Sequence, residues 1–515
     1  MRPRRQICAE PQVDAPEENP RYAGKRGWTG RLPYGNINIL GICAVSKKAR
    51  PGAGQCRQGH KDRERSAYPV GEEHDFSKGS MARNILAMAI PMTIAQLVNV
   101  LYNVTDRFFI GRIGGGASSL ALTGVGIVFP IINIITAFTN LYGMGGAPLC
   151  SIARGRKEDA QAERIMGASC FMLAVTALVL TAIGVAFMDP ILWLFGASQD
   201  TFPYAKDYFA IYIWGTFFAM MSLGMNGFIN CQGFGRTGMI TIAAGAAVNV
   251  VLDPLLIFGL NMGVRGAAVA TVISQILATW WVMRFLTGKK ALLKLRRECV
   301  RWQPDILKDT VQLGLSHFMM SFTNGVTQFA YNRALSGLGG DVYIGAMTVI
   351  NSVREVMTMP ANGITGGAQP VLGYNYGAKE NARVKKGILF TTGICVAYTL
   401  VAWGVVFLFP HELIRIFNDN SQLVEVGARM MHIYFFGFCF MALQFSGQST
   451  FTALGRARYA IFFSIFRKLV VVVPLIFILP NFMGVEGVFW SEPISNLVGG
   501  SACFITMMLT LWRKL

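Results

Sequence analysis

Asp253 stands in the stretch Asn249–Thr271, NVVLDPLLIFGLNMGVRGAAVAT, among Val, Leu, Ile and Phe and with no basic residue beside it. One helical turn earlier lies Asn249, and across a Gly-containing turn lie Ala267 and Thr271, again four apart. Residues four apart share a helix face, so each helix offers oxygen atoms along one stripe. The depths match as well. Asp253 is about 10 Å of helix below a turn that begins near Leu260, and Thr271 about 9 Å below a helix that resumes near Arg265. An amide, a carboxylate and a hydroxyl at one level make a site for a small cation. Asp106, in LYNVTDRFFIGRIGG before Gly111, lies about 8 Å below the same side and joins that level.

Weaker candidates follow. Glu355 is preceded by Arg354 in INSVREVMT, and the pair either satisfies itself or serves a ligand. Glu492, in FWSEPISN, has Pro493 behind it and either stabilises a helix break or faces a cavity. Asn226 and Gln232 lie near the inner end of an apolar segment, where amides line cavities or, more commonly, hydrogen-bond between helices. Pro91 frees a backbone carbonyl in the first long helix and can kink it.

The surroundings of these groups are set by composition. Of 515 residues, 53% are hydrophobic and 15% charged, where a soluble globular chain carries roughly 25% charged residues. The mean hydropathy is +0.42, and apolar runs long enough to cross a bilayer recur from residue 85 to the C-terminus. The chain therefore reads as a polytopic membrane protein. A carboxylate at membrane depth is costly and marks an ion or proton path. The ten cysteines show no CxxC or CxxH spacing and the five histidines no HExxH, so neither zinc, a disulfide framework nor any other cofactor is indicated.

Residues 1–73 differ from the rest. Up to residue 70 they carry 14 basic against 6 acidic residues, many Pro and Gly, and no long apolar run. They read as a disordered basic tail or an over-extended start. Twelve hydrophobic segments follow, near 85–110, 118–150, 165–188, 203–230, 237–259, 266–288, 306–335, 342–372, 386–409, 424–453, 457–479 and 487–511. The second, seventh, eighth and tenth are long, and tilt or extend beyond the membrane. Basic residues gather in the connections after the even segments, most strongly in Arg284–Trp302, whereas the odd side holds only Arg112, Lys206, Arg265 and Arg415. By the positive-inside rule both termini are cytoplasmic. The net charge of +19 then reflects topology and contact with anionic lipid, with no nucleic-acid partner needed.

A duplication organises the segments. GGAPLCSIARGRKE (145–158) aligns without a gap to GAQPVLGYNYGAKE (367–380), GFGR (233–236) to ALGR (453–456), and GVRG (263–266) to GVEG (484–487). Two sets of six helices entering from the same side form a parallel repeat about an axis along the membrane normal. The expected domains are an N-terminal lobe, 74–288, a basic cytoplasmic linker, 289–303, and a C-terminal lobe, 304–515. At these offsets Asn249 pairs with Leu469, Asp253 with Val473, and Asp106 with Tyr331. Scaffold residues would be shared by both halves. The acidic site is one-sided, which argues for function over a helix-bridging role.

The stretches HDFSKGS (74–80), LYNVTDRFFIGRIG (101–114), NGFINCQGFGRTGM (226–239), NVVLDPLLIFG (249–259), GGAQPVLGYNYGA (366–378) and GVEGVFWSEPIS (484–495) resemble the multidrug and toxic compound extrusion (MATE) family over residues 74–515. The resemblance implies a V-shaped, all-α molecule of two six-helix lobes that exposes its cavity alternately to each side of the cell membrane. It implies a cation site at Asp106, Asn249, Asp253, the carbonyl of Ala267 and Thr271, with Tyr102 and Pro91 tied to that site and to bending of the first helix. The chain departs from relatives that place a coupling site in the C-terminal lobe, because its seventh segment is acidic only at Asp309 and its tenth only at Glu425. The expected function is monomeric, cofactor-free export of cationic or amphiphilic organic compounds against Na⁺ or H⁺. The alternatives are a lipid-linked oligosaccharide flippase of the same superfamily, which more often carries a basic central cavity than basic loops, and an integral-membrane enzyme. No DDxxD-type motif within the helices supports the enzyme.

Overall fold

A backbone in lipid must satisfy its hydrogen bonds internally, and a helix does so within one segment. The computed structural model describes residues 75–113, 118–338, 340–417 and 421–515; the basic segment 1–73 lies outside them. Twelve helical rods follow in order. They are α1 Met81–Ile110, α2 Ser118–Gly155, α3 Asp159–Ala186, α4 Phe202–Asn230, α5 Gly235–Pro254, α6 Val264–Thr287, α7 Pro304–Leu338, α8 Gly340–Gly377 and α9 Asn381–Leu408, then α10 Ser421–Phe435 with Phe438–Ala453, α11 Ala457–Met483 and α12 Val485–Trp512. Among the described residues nine helices are long and apolar enough to cross a membrane, and the bent pair of α10 makes a tenth. The other two, α7 and α8, have 35 and 38 residues but are diluted by polar side chains such as Asn324, Gln328, Asn332, Asn351 and Arg354.

The tenth segment does not run straight as its length suggests. It bends by 47° after Phe435, where a Cβ on Gly437 would come within 2.7 Å of the Pro493 carbonyl oxygen. Only glycine lets α12 pass that close. At Pro91, by contrast, α1 remains helical through the proline.

Backbone geometry displays the repeat and corrects one register. Lys157 (φ 62°) and Lys379 (φ 61°) occupy matching left-handed turns, as do Gly263 (55°) and Gly484 (59°). At the start of α5, however, the left-handed glycine is Gly233 (94°), and its counterpart is Gly455 (70°). The ungapped match of GFGR to ALGR pairs Gly455 with Gly235, which is simply helical. The conformation moves the register by two, so that Val471 and Leu475 stand opposite Asn249 and Asp253. Both are apolar, and the acidic site stays one-sided.

The inner ends of α1 and α7 each pack on the opposite half. Phe76, Met81, Ile85 and Met88 share a core with Ala368, Val371 and Leu372, while Ile306, Val311, Leu315 and Phe318 lie against the core of α2–α6. Arg383 fastens the chain before α1 by donating to the carbonyls of Phe76 (3.0 Å) and Gly79 (2.9 Å). The seam is tightest where α2 meets α7: a Cβ on Gly314 would fall 1.8 Å from the Leu141 carbonyl oxygen. The halves thus close against each other at the end that carries the basic connections.

Candidate functional site

After Pro254 the fifth rod widens into a π-turn, Leu255–Gly259, closed by the Leu260 N–H on the Leu255 carbonyl at 3.0 Å. The next helix starts tightly against that turn, since a Cβ on Gly266 would meet Leu256 backbone at 2.8 Å. The two helices are thereby held so that their polar stripes face. Asn249 Nδ2 lies 3.3 Å from Asp253 Oδ1 and 3.4 Å from Thr271 Oγ1, donating toward both. Asn249 and Asp253 are wholly enclosed, and so is Ala267 on the same stretch as Thr271. Asp106 is buried from the side of α1 and lies within electrostatic range of Asp253. Its neighbour Arg107 stacks on Phe129, 4.3 Å from the ring centroid, and stays within electrostatic range of Asp106.

Three oxygens in this group, Asp106 Oδ1, Asn249 Oδ1 and Asp253 Oδ2, are buried without a hydrogen-bond partner. Leaving buried acceptors unpaired costs about 1–3 kcal/mol each, and more for charged ones. A proton or a hard monovalent cation satisfies such oxygens, and the donor set of carboxylate, amide and hydroxyl suits Na⁺. Among the described residues no cluster of three or more His, Cys, Asp or Glu could hold a metal.

Tyr102 stands beside Asp106, Asp253 and Thr271. The sequence reading missed Tyr208, which also borders Asp106 and Thr271 and stacks on Tyr212 at 5.9 Å. Two tyrosines four apart in an apolar helix, aimed at the level of the acids, were the available signal.

The remaining candidates fall elsewhere. Gln232, a cavity candidate by sequence, has its amide engaged at both ends: Nε2 donates to the Phe228 carbonyl at 2.9 Å and Oε1 accepts the Leu293 N–H at 2.9 Å. It anchors the basic linker to the first half. Asn226 is buried with its Oδ1 unpartnered. Glu355 is exposed, and no ion pair joins it to Arg354, because adjacent residues on a helix point in different directions.

Glu492 departs most from expectation. It is 1% exposed and accepts from Lys468 Nζ at 3.0 and 3.1 Å and from Arg467 Nη1 at 3.1 Å. The basic residues are therefore not confined to loops. Arg467 and Lys468 sit within α11, in the π-turn Phe466–Val472, whose wider turn swings two consecutive side chains toward one carboxylate. Two adjacent cations inside an apolar run were the signal in the sequence.

Comparison with known proteins agrees with this architecture. The MatE family model matches residues 91–255 and 317–478. The multidrug export protein MepA of Staphylococcus saprophyticus is 24% identical over 437 residues, covering 85% of this chain and 95% of its own. MepA of Staphylococcus haemolyticus is 25% identical over 434 residues, covering 84% and 94%. A solved outward-facing structure of a multidrug resistance MATE family transporter of the MOP superfamily superposes with a TM-score of 0.80 at 21% identity, covering 87% of this chain and 99% of that one.

Proposed function

The chain belongs to the MatE family, and from that premise we propose that it is a secondary antiporter exporting organic, cationic or amphiphilic compounds in exchange for Na⁺ or H⁺. It is a multi-pass membrane transporter and not an enzyme. The observation that carries the coupling is the set of three unpartnered oxygens on Asp106, Asn249 and Asp253. Two carboxylates within electrostatic range repel each other, so the pair favours taking up one proton or one Na⁺. The carbonyl of Ala267 and the hydroxyl of Thr271 would complete a sodium shell, and Tyr102 closes the site from α1.

Coupling then follows from linkage. Ion binding stabilises one arrangement of the halves and the exported compound the other, and each shifts the balance only by its differential affinity. With the basic connections on the cytoplasmic side, the seam at Gly314 closes the inner face, and export requires it to open. Efflux from proteoliposomes under separately imposed Na⁺ and proton gradients tests the reading: stimulation by at least one is expected, and stimulation by neither would overturn it.

A flippase of lipid-linked oligosaccharides is the second reading, favoured by the cations inside the second half. Competition of dye efflux by a polyprenyl diphosphate, absent for an organic-ion exporter, separates the two.

A further inference from the structure

The repeat lets the acidic site be compared with its counterpart in the second half. The left-handed Gly263 and Gly484 open α6 and α12, and that register sets Glu492 opposite Thr271. At the seam, a Cβ on Gly145 reaches Gly314, and one on its repeat partner Gly367 reaches Ala89. Ala89 thus matches Gly314, which sets Tyr331 opposite Asp106. Tyr331 and Glu492 do meet: the Tyr331 hydroxyl lies 3.3 Å from Glu492 Oε2 and 2.9 Å from Ser491 Oγ. The second half therefore holds a polar cluster in the same place in its own bundle.

Its charge is reversed. The first cluster has two carboxylates and one cation, Arg107, within electrostatic range of Asp106. The second has three cations around Glu492: Lys468 and Arg467, both hydrogen-bonded to it, and Arg354, which lies within electrostatic range of it and of the exposed Glu355. Glu492 compensates one of the three. Arg467 also donates to Asn496 Oδ1 at 2.8 Å, and its stem passes where a Cβ on Gly499 would stand only 2.8 Å away. Arg354 is the cation of the three without a hydrogen bond to Glu492. It is half-buried, and its Nε is enclosed without a hydrogen-bond partner. Arginine cannot give up its proton, so Arg354 and Arg467 keep their charge whatever Lys468 does. A guanidinium with an enclosed, unsatisfied N–H inside a helical bundle is costly and marks a ligand path.

A chain of hydrogen-bonded side chains runs from the exposed face to it. Exposed Asn332 accepts from Gln328 Nε2 at 3.2 Å, Gln328 Oε1 accepts from Asn351 Nδ2 at 3.0 Å, and Tyr434 donates to Asn351 Oδ1 at 3.4 Å. Tyr434 in turn borders Arg354.

We propose that this pocket, centred on Arg354 and backed by Arg467 and Lys468, receives an anionic group of the exported compound, a carboxylate or phosphate. The preferred substrates are then zwitterionic or acidic amphiphiles. A planar guanidinium offers paired N–H donors that match such groups. The proposal rests on the export reading and narrows its substrate class.

The test uses the purified full-length protein and a matched pair of xanthene dyes, one with a free carboxylate and one with its methyl ester. Binding is read by fluorescence anisotropy, without any gradient. The free acid should bind about tenfold more tightly than the ester, the ratio expected of one charge-assisted hydrogen bond. Arg354→Gln should bring the ratio to about one, and Arg354→Lys should restore part of it. Inorganic phosphate at millimolar concentration should leave the free acid bound; displacement of it with equal effect by phosphate or chloride would assign the pocket to a free inorganic anion and overturn the proposal. A ratio of one in the wild-type protein, or a ratio unchanged by Arg354→Gln, would do so too. Efflux of the ester dye under imposed gradients reports separately on the export reading.

Discussion

At the scale of residues, the acidic site is a set of oxygens that the fold assembles but does not satisfy. Asp253→Asn keeps the shape of the side chain and removes its charge, so gradient-driven efflux should fall to background while the protein remains folded and inserted. Transport at the wild-type rate in that variant would remove Asp253 from coupling. Asp106→Asn should behave alike, and the double variant should be little worse than either, because groups acting as one unit are not additive. Thr271→Val separates the ions. It deletes one hydroxyl oxygen, now seen 3.4 Å from Asn249 Nδ2, which a hard cation requires and a proton on a carboxylate does not. Na⁺-driven efflux should drop about tenfold and proton-driven efflux much less. Equal losses under both gradients would leave Thr271 as a structural hydroxyl.

At the scale of elements, function depends on helices that come unusually close or turn unusually wide. The π-turn after Pro254 brings Asn249 and Thr271 level, and the one at Phe466–Val472 aims Arg467 and Lys468 at one carboxylate. Where α2 meets α7, Gly314 leaves no room for a side chain. Gly314→Val should force the two helices apart at a cost of about 1–3 kcal/mol to the closed seam, shifting the population toward the arrangement open at that end. The seam has its own reporter, since a Cβ on Gly373 would stand 3.2 Å from Cβ of Ser151. In a background without native cysteines, Ser151→Cys with Gly373→Cys should oxidise readily to a disulfide, and adding Gly314→Val should slow that cross-link several-fold. An unchanged rate would show that the seam absorbs the extra methyls.

At the scale of the whole molecule, two halves with the same path and opposite charge suit a transporter that handles an ion in one and a compound in the other. Alternation requires the seam to open. The Ser151–Gly373 cross-link should therefore arrest efflux in proteoliposomes, and reduction should restore it; efflux that continues through the locked seam would contradict alternating access. The basic segment before α1 has no counterpart in the repeat. Deleting residues 2–70 should leave insertion and transport unchanged, and lost transport by a variant that still reaches the membrane would make the segment a functional arm.

The apolar runs, the loop charges and the 145–158 and 367–380 repeat were enough to specify a helical membrane protein of two like halves. Each is a local property, read one segment at a time. The pairing of Asn249, Asp253 and Thr271 was also legible, because two helices joined by a short turn have little freedom in how their faces meet. What crosses between distant segments was not legible. Gln232 reads as a cavity amide until its partner in the linker, Leu293, is known, and Glu492 reads as a lone acid until Lys468 and Arg467 turn toward it. Register behaved likewise: the matched letters of GFGR and ALGR pointed to one glycine, and the backbone angle chose another. Burial of charge is decided by what faces a side chain, and only the folded bundle determines that.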